Sequence, residues 1–406
     1  MQRENGSYSL PRGRVTRWLA DAGPGVPDDI RVALIGGLFG TLPVFTAGVL
    51  NTLAVSAAIA IRQPTAPFIA WLVFEIAVCL ARLIVLLHAR RAAASQRETP
   101  TDMHILLAVA WSAGVGYGVV ISMASGDWVT ATVACTSAAA MVGGICFRNF
   151  SAPRLAATMI LLSLGPTILG AILAHEPLVY IALLQAPLYL IAMTAAAFRL
   201  NKMLIATMRA EREKDYQAKH DALTGLYNRP GLVGVVNARL AAAEGTGKTL
   251  ALLFLDLDEF KAVNDSFGHL TGDRLLKMVA VRLGGVLSAS DVAARLGGDE
   301  FVVLAEGLSH EQAIQLGQRV ISVLTPAYQL GDGISAQIGA SVGIAMAPEY
   351  GADAEVLLAV ADAALYEAKS DGKLRCCMAS AATNLAALRR LHAEGAAPFA
   401  KIGVAA

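Results

Sequence analysis

Apolar residues run almost without interruption through six stretches of the chain, at 32–61, 67–88, 103–124, 128–147, 155–174 and 178–199. Each approaches the roughly 20 residues a helix needs to cross a bilayer, so the pattern predicts six transmembrane helices. The first stretch is longer than required and contains Pro43, which predicts a tilt or kink. Past residue 199 the pattern changes. Leu200, Met203, Leu204 and Thr207 recur at helical spacing and give way to Arg209-Ala210-Glu211-Arg212-Glu213-Lys214, which reads as a helix leaving the bilayer. Its apolar seam covers under two heptads, so a short parallel coiled coil and a solvated charged helix are equal readings. Beyond Lys219 short apolar runs alternate with helical patterns. These predict a helix near 229–243, a strand at 250–256, a helix near 273–287, and hairpin strands at 291–296 and 301–305. A helix near 310–325, a strand pair within 334–346 and a helix near 353–370 complete the series. Strands interleaved with helices around one hairpin predict an α+β domain with helices against one sheet.

Composition agrees with a chain partly in lipid. Of 406 residues, 55% are hydrophobic and 16% charged, with a mean hydropathy of +0.54, whereas soluble chains carry about 25% charged residues. A net charge of +1 gives no reason to expect nucleic acid. The five cysteines do not form a secreted disulfide framework and read as packing residues. Residues 1–29 are polar, with Arg3, Arg12, Arg14 and Arg17 and no cleavage site, so they are expected to be a cytoplasmic tail. Alternating sides from a cytoplasmic N-terminus places Arg90, Arg91, Arg97, Arg148, Arg154, Arg199 and Lys202 inside, against Arg62 alone outside. The positive-inside rule therefore favours both ends in the cytoplasm. Within the spans, Glu75 and Arg82 lie seven apart on one helical face, as a ligand pocket, a coupling element or a plain polar contact between helices would require. Trp111, Trp128 and Tyr180 are expected to anchor span ends at the interface.

The candidate chemistry centres on Arg295-Leu296-Gly297-Gly298-Asp299-Glu300-Phe301, where two glycines and two adjacent carboxylates separate apolar strands. Paired glycines supply the positive φ of a tight hairpin turn and admit a bulky ligand close to the backbone. Upstream, the apolar run Leu250 to Leu255 ends in Asp256-Leu257-Asp258. Asp256 and Asp299 could hold one hard cation only if their strands are neighbours.

These residues stand in a longer register. It comprises Asp221-Ala222-Leu223-Thr224-Gly225-Leu226-Tyr227-Asn228-Arg229, then Phe260-Lys261, Asn264-Asp265, Gly268-His269-Leu270-Thr271-Gly272-Asp273, Ser341-Val342-Gly343 and Ala363 to Lys369. From His220 to about Arg375 the chain resembles the GGDEF domain of bacterial diguanylate cyclases. The resemblance implies a ferredoxin-like palm of βαββαβ type behind an all-α polytopic membrane bundle. It divides the chain into a tail at 1–29, a six-helix transmembrane region expected to be a sensor at 30–199, a linker helix at 200–219, a GGDEF domain at 220–378 and an Ala-rich tail at 379–406.

The implied reaction condenses two GTP into cyclic-di-GMP and two pyrophosphates, in a homodimer at the bacterial inner membrane. By the family pattern Asp256, the carbonyl of Leu257 and Asp299 bind Mg²⁺ or Mn²⁺. Asp299 is also the implied proton acceptor, with Glu300 beside it and Lys261 against developing phosphate charge. Asn264 and Asp273 match the positions that read guanine, with His269 near them. Gly297 and Gly298 admit the nucleotide, and Lys369 and Lys373 match positions that hold phosphate. Two departures stand out: Leu374 where the family often has Asn, and Ser288-Ala289-Ser290-Asp291 where many members carry an Arg-x-x-Asp product site on the strand before the hairpin. The second implies weak or no product inhibition. A different class of protein, a membrane receptor whose domain only binds nucleotide, is the alternative.

Overall fold

The computed structural model describes residues 8–40, 42–245, 247–331 and 333–393. The expectations for 1–7, which include Arg3, and for 394–406 lie outside these residues. The chain divides into two compact units, Met1–Glu211 and Arg212–Ala406.

The first unit is helical: α1 (Arg14–Leu19), α2 (Asp28–Leu38), α3 (Leu42–Arg62), α4 (Ala66–Ala94), α5 (Thr101–Ala124), α6 (Trp128–Asn149), α7 (Pro153–Leu164) and α8 (Pro166–Leu173). A 3₁₀ turn, Pro177–Ile181, leads into α9 (Ala182–Lys219). Among the described residues six helical segments are long and apolar enough to cross a membrane: Leu42–Arg62, Ala66–Ala94, Thr101–Ala124, Trp128–Asn149, Pro153–Leu173 and Pro177–Lys219. Where the sequence predicts one long first span at 32–61, the structure has two helices, α2 and α3. Pro43 stands in the first turn of α3, a position that starts helices rather than continuing them.

Trp111 corrects another expectation. It lies mid-way along α5, 6% exposed, so it is a core residue and not an interfacial anchor. Trp128, by contrast, begins α6 and is exposed. The N-terminal segment is also less free than a tail. The Asp102 carboxylate accepts from the backbone N–H of Arg12 and of Gly13, at 3.0 and 2.9 Å, and from the Thr16 hydroxyl. A carboxylate in the first turn of α5 is favoured by the helix dipole and caps α1 across the chain.

In the second unit, α10 (Arg229–Ala243) precedes β1 (Leu250–Asp258), followed by α11 (Phe260–Phe267) and α12 (His269–Gly284). Then come β2 (Val292–Gly297), β3 (Glu300–Glu306), α13 (His310–Leu324), β4 (Tyr328–Gly331), β5 (Ile334–Ala336), β6 (Gly339–Ala347), α14 (Ala354–Ser370), β7 (Cys376–Met378) and α15 (Ala381–Ala393). The main sheet has the order β2-β3-β1-β6-β7. β1 pairs antiparallel with both β3 and β6, and β7 adds in parallel to β6. Its first four strands have the strand order of a βαββαβ palm.

β1 is apolar at every position from Leu250 to Leu255 because both of its faces are covered. Leu253, Leu255 and Leu257 pack with Leu275, Leu276 and Val279 of α12 and with Leu316 and Val320 of α13. Leu250, Leu252 and Phe254 pack with Leu232 and Val236 of α10 and with Leu357, Leu358 and Ala361 of α14. Helices therefore cover both faces of the sheet. Two further expectations change. The predicted helix near 273–287 is preceded by a separate helix, α11, because Gly268 at φ +79° breaks the run and its backbone caps both sides. The strand pair within 334–346 is not a pair: β5 pairs with β4 in a small separate sheet, while β6 joins the main sheet beside β1.

Candidate active site

β1 and β3 are neighbours, which satisfies the condition for their acidic ends to meet. In the register of the two strands Asp256 lies opposite Glu300, and the Leu257 N–H donates to the Asp299 carbonyl at 3.3 Å. Residues two apart on a strand share a face, so Asp256 and Asp258 both project toward α14. There Lys369 Nζ reaches Asp256 Oδ2 at 2.7 Å. Asp258 is buried and structural. Its carboxylate accepts from the Ser341 hydroxyl at 3.0 Å and from the Leu374 N–H at 3.3 Å, and so holds the left-handed turn at Lys373 and Leu374 after α14. The sequence reading assigned Asp258 no role, although its spacing from Asp256 carried the signal.

Electrostatics marks this strand end. Burial pushes the Asp256 carboxyl above the usual carboxylate range; Lys369 works against that, and repulsion from Asp299 and Asp258 adds to it. Burial likewise raises Glu300, reinforced by Asp256, Asp362 and Asp299. Like charges crowded at one point favour a cation. Among the described residues no three His, Cys, Asp or Glu side chains already converge as a metal cage. The donor set of two carboxylates and a backbone carbonyl, all oxygen, nevertheless fits a hard divalent ion that keeps several waters. Lys369, which the resemblance assigns to phosphate, sits here against the Asp256 carboxylate.

The hairpin tip is held from behind. Gly298 adopts φ +48°, a left-handed conformation that a turn between β2 and β3 requires and glycine adopts without strain. Its carbonyl accepts from Arg295 Nε and Nη2 at 3.0 and 2.8 Å, and Arg295 Nη1 also donates to both oxygens of Asp221 at 3.0 and 3.2 Å. Asp221 in turn accepts from Thr224, and these two partners hold its carboxyl below the ordinary range against the opposing effect of burial. One guanidinium thus fastens the entry motif to the turn that presents Asp299. We expect Arg295→Ala to lower stability by on the order of 1.5–3 kcal/mol, the value of hydrogen bonds to charged groups. A denaturant midpoint within experimental error of wild type would show that the turn holds itself.

The other sequence-derived residues are distributed around this point. Asn264 is half-buried on α11, with Lys261 exposed one turn earlier. His269 and Asp273 are exposed on the first turns of α12, and Lys373 is exposed in the turn after α14. Among the described residues none of Lys261, His269 or Asp273 forms an ion pair with these carboxylates, whereas Lys369 does. Gly272 was quoted in the register but given no role, and the structure supplies one: a Cβ there would stand 1.9 Å from Asn264 Oδ1. Only a glycine lets the Asn264 carboxamide occupy its seat. The Ser288 to Asp291 stretch is a turn ahead of β2, not part of the strand. Asp291 Oδ2 accepts from the Ser288 N–H at 2.8 Å, and the Ser288 and Ser290 hydroxyls are 3.0 Å apart.

Comparison with known proteins covers the same segment. The family described as "Diguanylate cyclase, GGDEF domain" matches residues 218–375. A Caulobacter vibrioides "uncharacterized signaling protein" is 43% identical over 166 residues, 40% of this chain and 20% of that protein. The diguanylate cyclase TpbB of Pseudomonas aeruginosa is 40% identical over 159 residues, 39% of this chain and 37% of TpbB. This chain therefore spans well under half the length of these curated relatives. Among solved structures, the isolated GGDEF domain of TpbB is 37% identical, covering 43% of this chain and 99% of that one, with a TM-score of 0.40. The shared blocks and the strand-end carboxylates identify residues 218–375 as a GGDEF domain, which follows a helical region of six candidate spans in the chain.

Proposed function

We propose that this protein is a membrane-anchored diguanylate cyclase that condenses two GTP into cyclic-di-GMP and two pyrophosphates. The observation that carries the reading is the register of β1 on β3, which sets Asp256 opposite Glu300 beside the Asp299 turn. The name of TpbB, a diguanylate cyclase, supports it. Asp256, Asp299 and the Leu257 carbonyl would hold Mg²⁺ or Mn²⁺, which supplies neutralisation of the triphosphate and a lower pKa for the attacking hydroxyl.

The chain's own residues do the rest. Asp299, with Glu300 adjacent, accepts the proton of the ribose 3′-hydroxyl. Lys261, Lys369 and Lys373 set ammonium charge against phosphate oxygens, where a compact point charge suits a charge that grows in the transition state. Asn264 and Asp273 offer an amide and a carboxylate to the guanine edge, and His269 adds a further contact. Gly297 and Gly298 leave room for the nucleotide against the backbone. One such site holds one GTP, so two domains must face each other and the active species is a homodimer. The excess of Lys and Arg on one set of loops supports an inner-membrane protein with the GGDEF domain in the cytoplasm, where GTP is.

The test is the purified full chain in detergent with GTP and Mg²⁺, its products separated by chromatography. Cyclic-di-GMP is expected. GTP binding without turnover at protein concentrations that favour dimers would replace this reading with the silent receptor.

The Ser288 turn adds a regulatory expectation. A Ser hydroxyl cannot fork onto phosphate or stack on guanine as an arginine does, and here it is engaged with Ser290. Two missing charge-assisted hydrogen bonds at about 1.5–3 kcal/mol each correspond to a hundred-fold or greater loss of product affinity. Progress curves with added cyclic-di-GMP should stay uninhibited at low micromolar product, and Ser288→Arg should introduce inhibition. Strong inhibition of the wild type would refute this.

A further inference from the structure

Between α3, α4, α5 and α6 lies a cavity of about 380 Å³, within the size range of small-molecule sites. Most of its wall is apolar, including Val44, Phe45, Met141, Ile145 and Met159. Its polar wall carries the donors of Arg82, Arg148 and Trp111, with the amides of Asn51 and Asn149 beside them. Arg82 is 4% exposed, yet its Nε has no hydrogen-bond partner among the described residues. The Arg148 Nη2 and the Trp111 indole N–H are also buried and unpartnered. The flat faces of the two guanidinium groups are occupied, Arg82 over Trp111 at 4.5 Å and over Phe45 at 5.3 Å, Arg148 over Phe45 at 5.1 Å. Their edges, which carry the N–H groups, are left for a ligand.

No acidic side chain lines this cavity, and the one carboxylate that acts on Arg82 among the described residues is that of Glu75, by Coulombic attraction without direct contact. Glu75 stands two turns away on α4, about 10 Å along the axis by helical rise, and its Oε1 accepts from Trp71 Nε1 at 3.3 Å. Arginine stays protonated in any protein environment. One carboxylate that touches neither guanidinium leaves two cations in a helical bundle under-compensated, which is costly unless a further opposite charge joins them, and planar bidentate donors match oxyanions in particular.

We propose that this cavity binds an oxyanion carried on an apolar body, with Arg82 and Arg148 clamping the anion and the Phe45, Met141 and Met159 side chains covering the rest. The chemistry fits a carboxylate or phosphate from either of two sources, a soluble organic acid or an anionic lipid. Arg148 also lines a second cavity of about 370 Å³, whose wall includes Leu204 and Met208 of α9, so occupancy of the first cavity reaches the helix that continues to Lys219. The site is independent of the cyclase reading, since its test is binding and not turnover.

The test uses the full chain in nanodiscs of zwitterionic lipid, with radiolabelled octanoate as the probe and equilibrium dialysis as the readout. Saturable binding is expected, displaced by benzoate and not by octanol. Arg82→Gln and Arg148→Gln should each weaken it at least ten-fold, the loss of one charge-assisted hydrogen bond. Gly48 lines the cavity, and a Cβ there meets nothing within 4 Å. Gly48→Leu should therefore fill the space and abolish binding while both arginines and the helix remain. Displacement of octanoate by phosphatidylglycerol in the disc supports the site with lipid as its source, and no displacement supports it with a soluble acid. Absence of saturable binding of both octanoate and benzoate, or unchanged binding in Gly48→Leu and both Gln variants, would overturn the proposal.

Discussion

Asp299→Asn is expected to reduce cyclic-di-GMP formation by at least about a thousand-fold, the scale on which a group stabilising transition-state charge acts, while the fold stays intact. The change conserves volume at a hairpin tip and removes one of the carboxylates that repel Asp256 and Glu300. The backbone bond from Leu257 N–H to the Asp299 carbonyl, 3.3 Å long, does not depend on the side chain. The melting temperature should therefore be unchanged or slightly raised. A second readout separates metal from fold. An ion bound only by the folded state adds stability in proportion to the logarithm of its concentration, so Mg²⁺ should raise the melting temperature of the wild type and do so much less in the variant. Wild-type turnover by Asp299→Asn, or an equal Mg²⁺ shift in both proteins, would remove Asp299 from the metal site.

Gly272→Ala is expected to separate stability from nucleotide recognition in a way that is hard to obtain elsewhere in the domain. Alanine in a helix interior is better than glycine by about 0.8–1.0 kcal/mol, so α12 should gain. The new Cβ would stand 1.9 Å from Asn264 Oδ1 and 2.9 Å from its Cγ, so the carboxamide must swing away. If Asn264 reads guanine, the loss of that hydrogen-bonded position costs about 1–3 kcal/mol, or roughly five- to 150-fold in kcat/KM for GTP. Preference for GTP over ATP should fall with it, and Asn264→Ala should show the same loss of preference. Gly284→Ala is the control: it lies in the same helix, and a Cβ there meets nothing within 4 Å. It should gain stability and keep kcat/KM. A Gly272→Ala enzyme with full activity and specificity would move base recognition away from Asn264.

Much of this protein was legible in the sequence because two signals are local. A transmembrane segment is a property of about 20 consecutive residues, so all six spans were legible, and those at 103–124, 128–147 and 155–174 match Thr101–Ala124, Trp128–Asn149 and Pro153–Leu173 closely at both ends. The acidic strand end and the Gly-Gly turn were equally local, since turn chemistry depends on the φ that only certain residues adopt. The sequence alone also set the condition that Asp256 and Asp299 need neighbouring strands.

Long-range packing decided the rest. Whether β1 lies beside β3 is a matter of sheet order, which hydrophobic period does not encode, and the same holds for β6 leaving β5 to join the main sheet. The sequence reading had a helix near 273–287 and no α11, whose separation from α12 rests on the backbone of Gly268. Trp111 reads as an interfacial aromatic by type alone and becomes the platform under Arg82 only when α4 and α5 pack together. The partners of a charged side chain are set by tertiary proximity across many residues of chain. Arg295 therefore met Asp221, Lys369 met Asp256, and Arg82 was left with unmet donors facing a cavity.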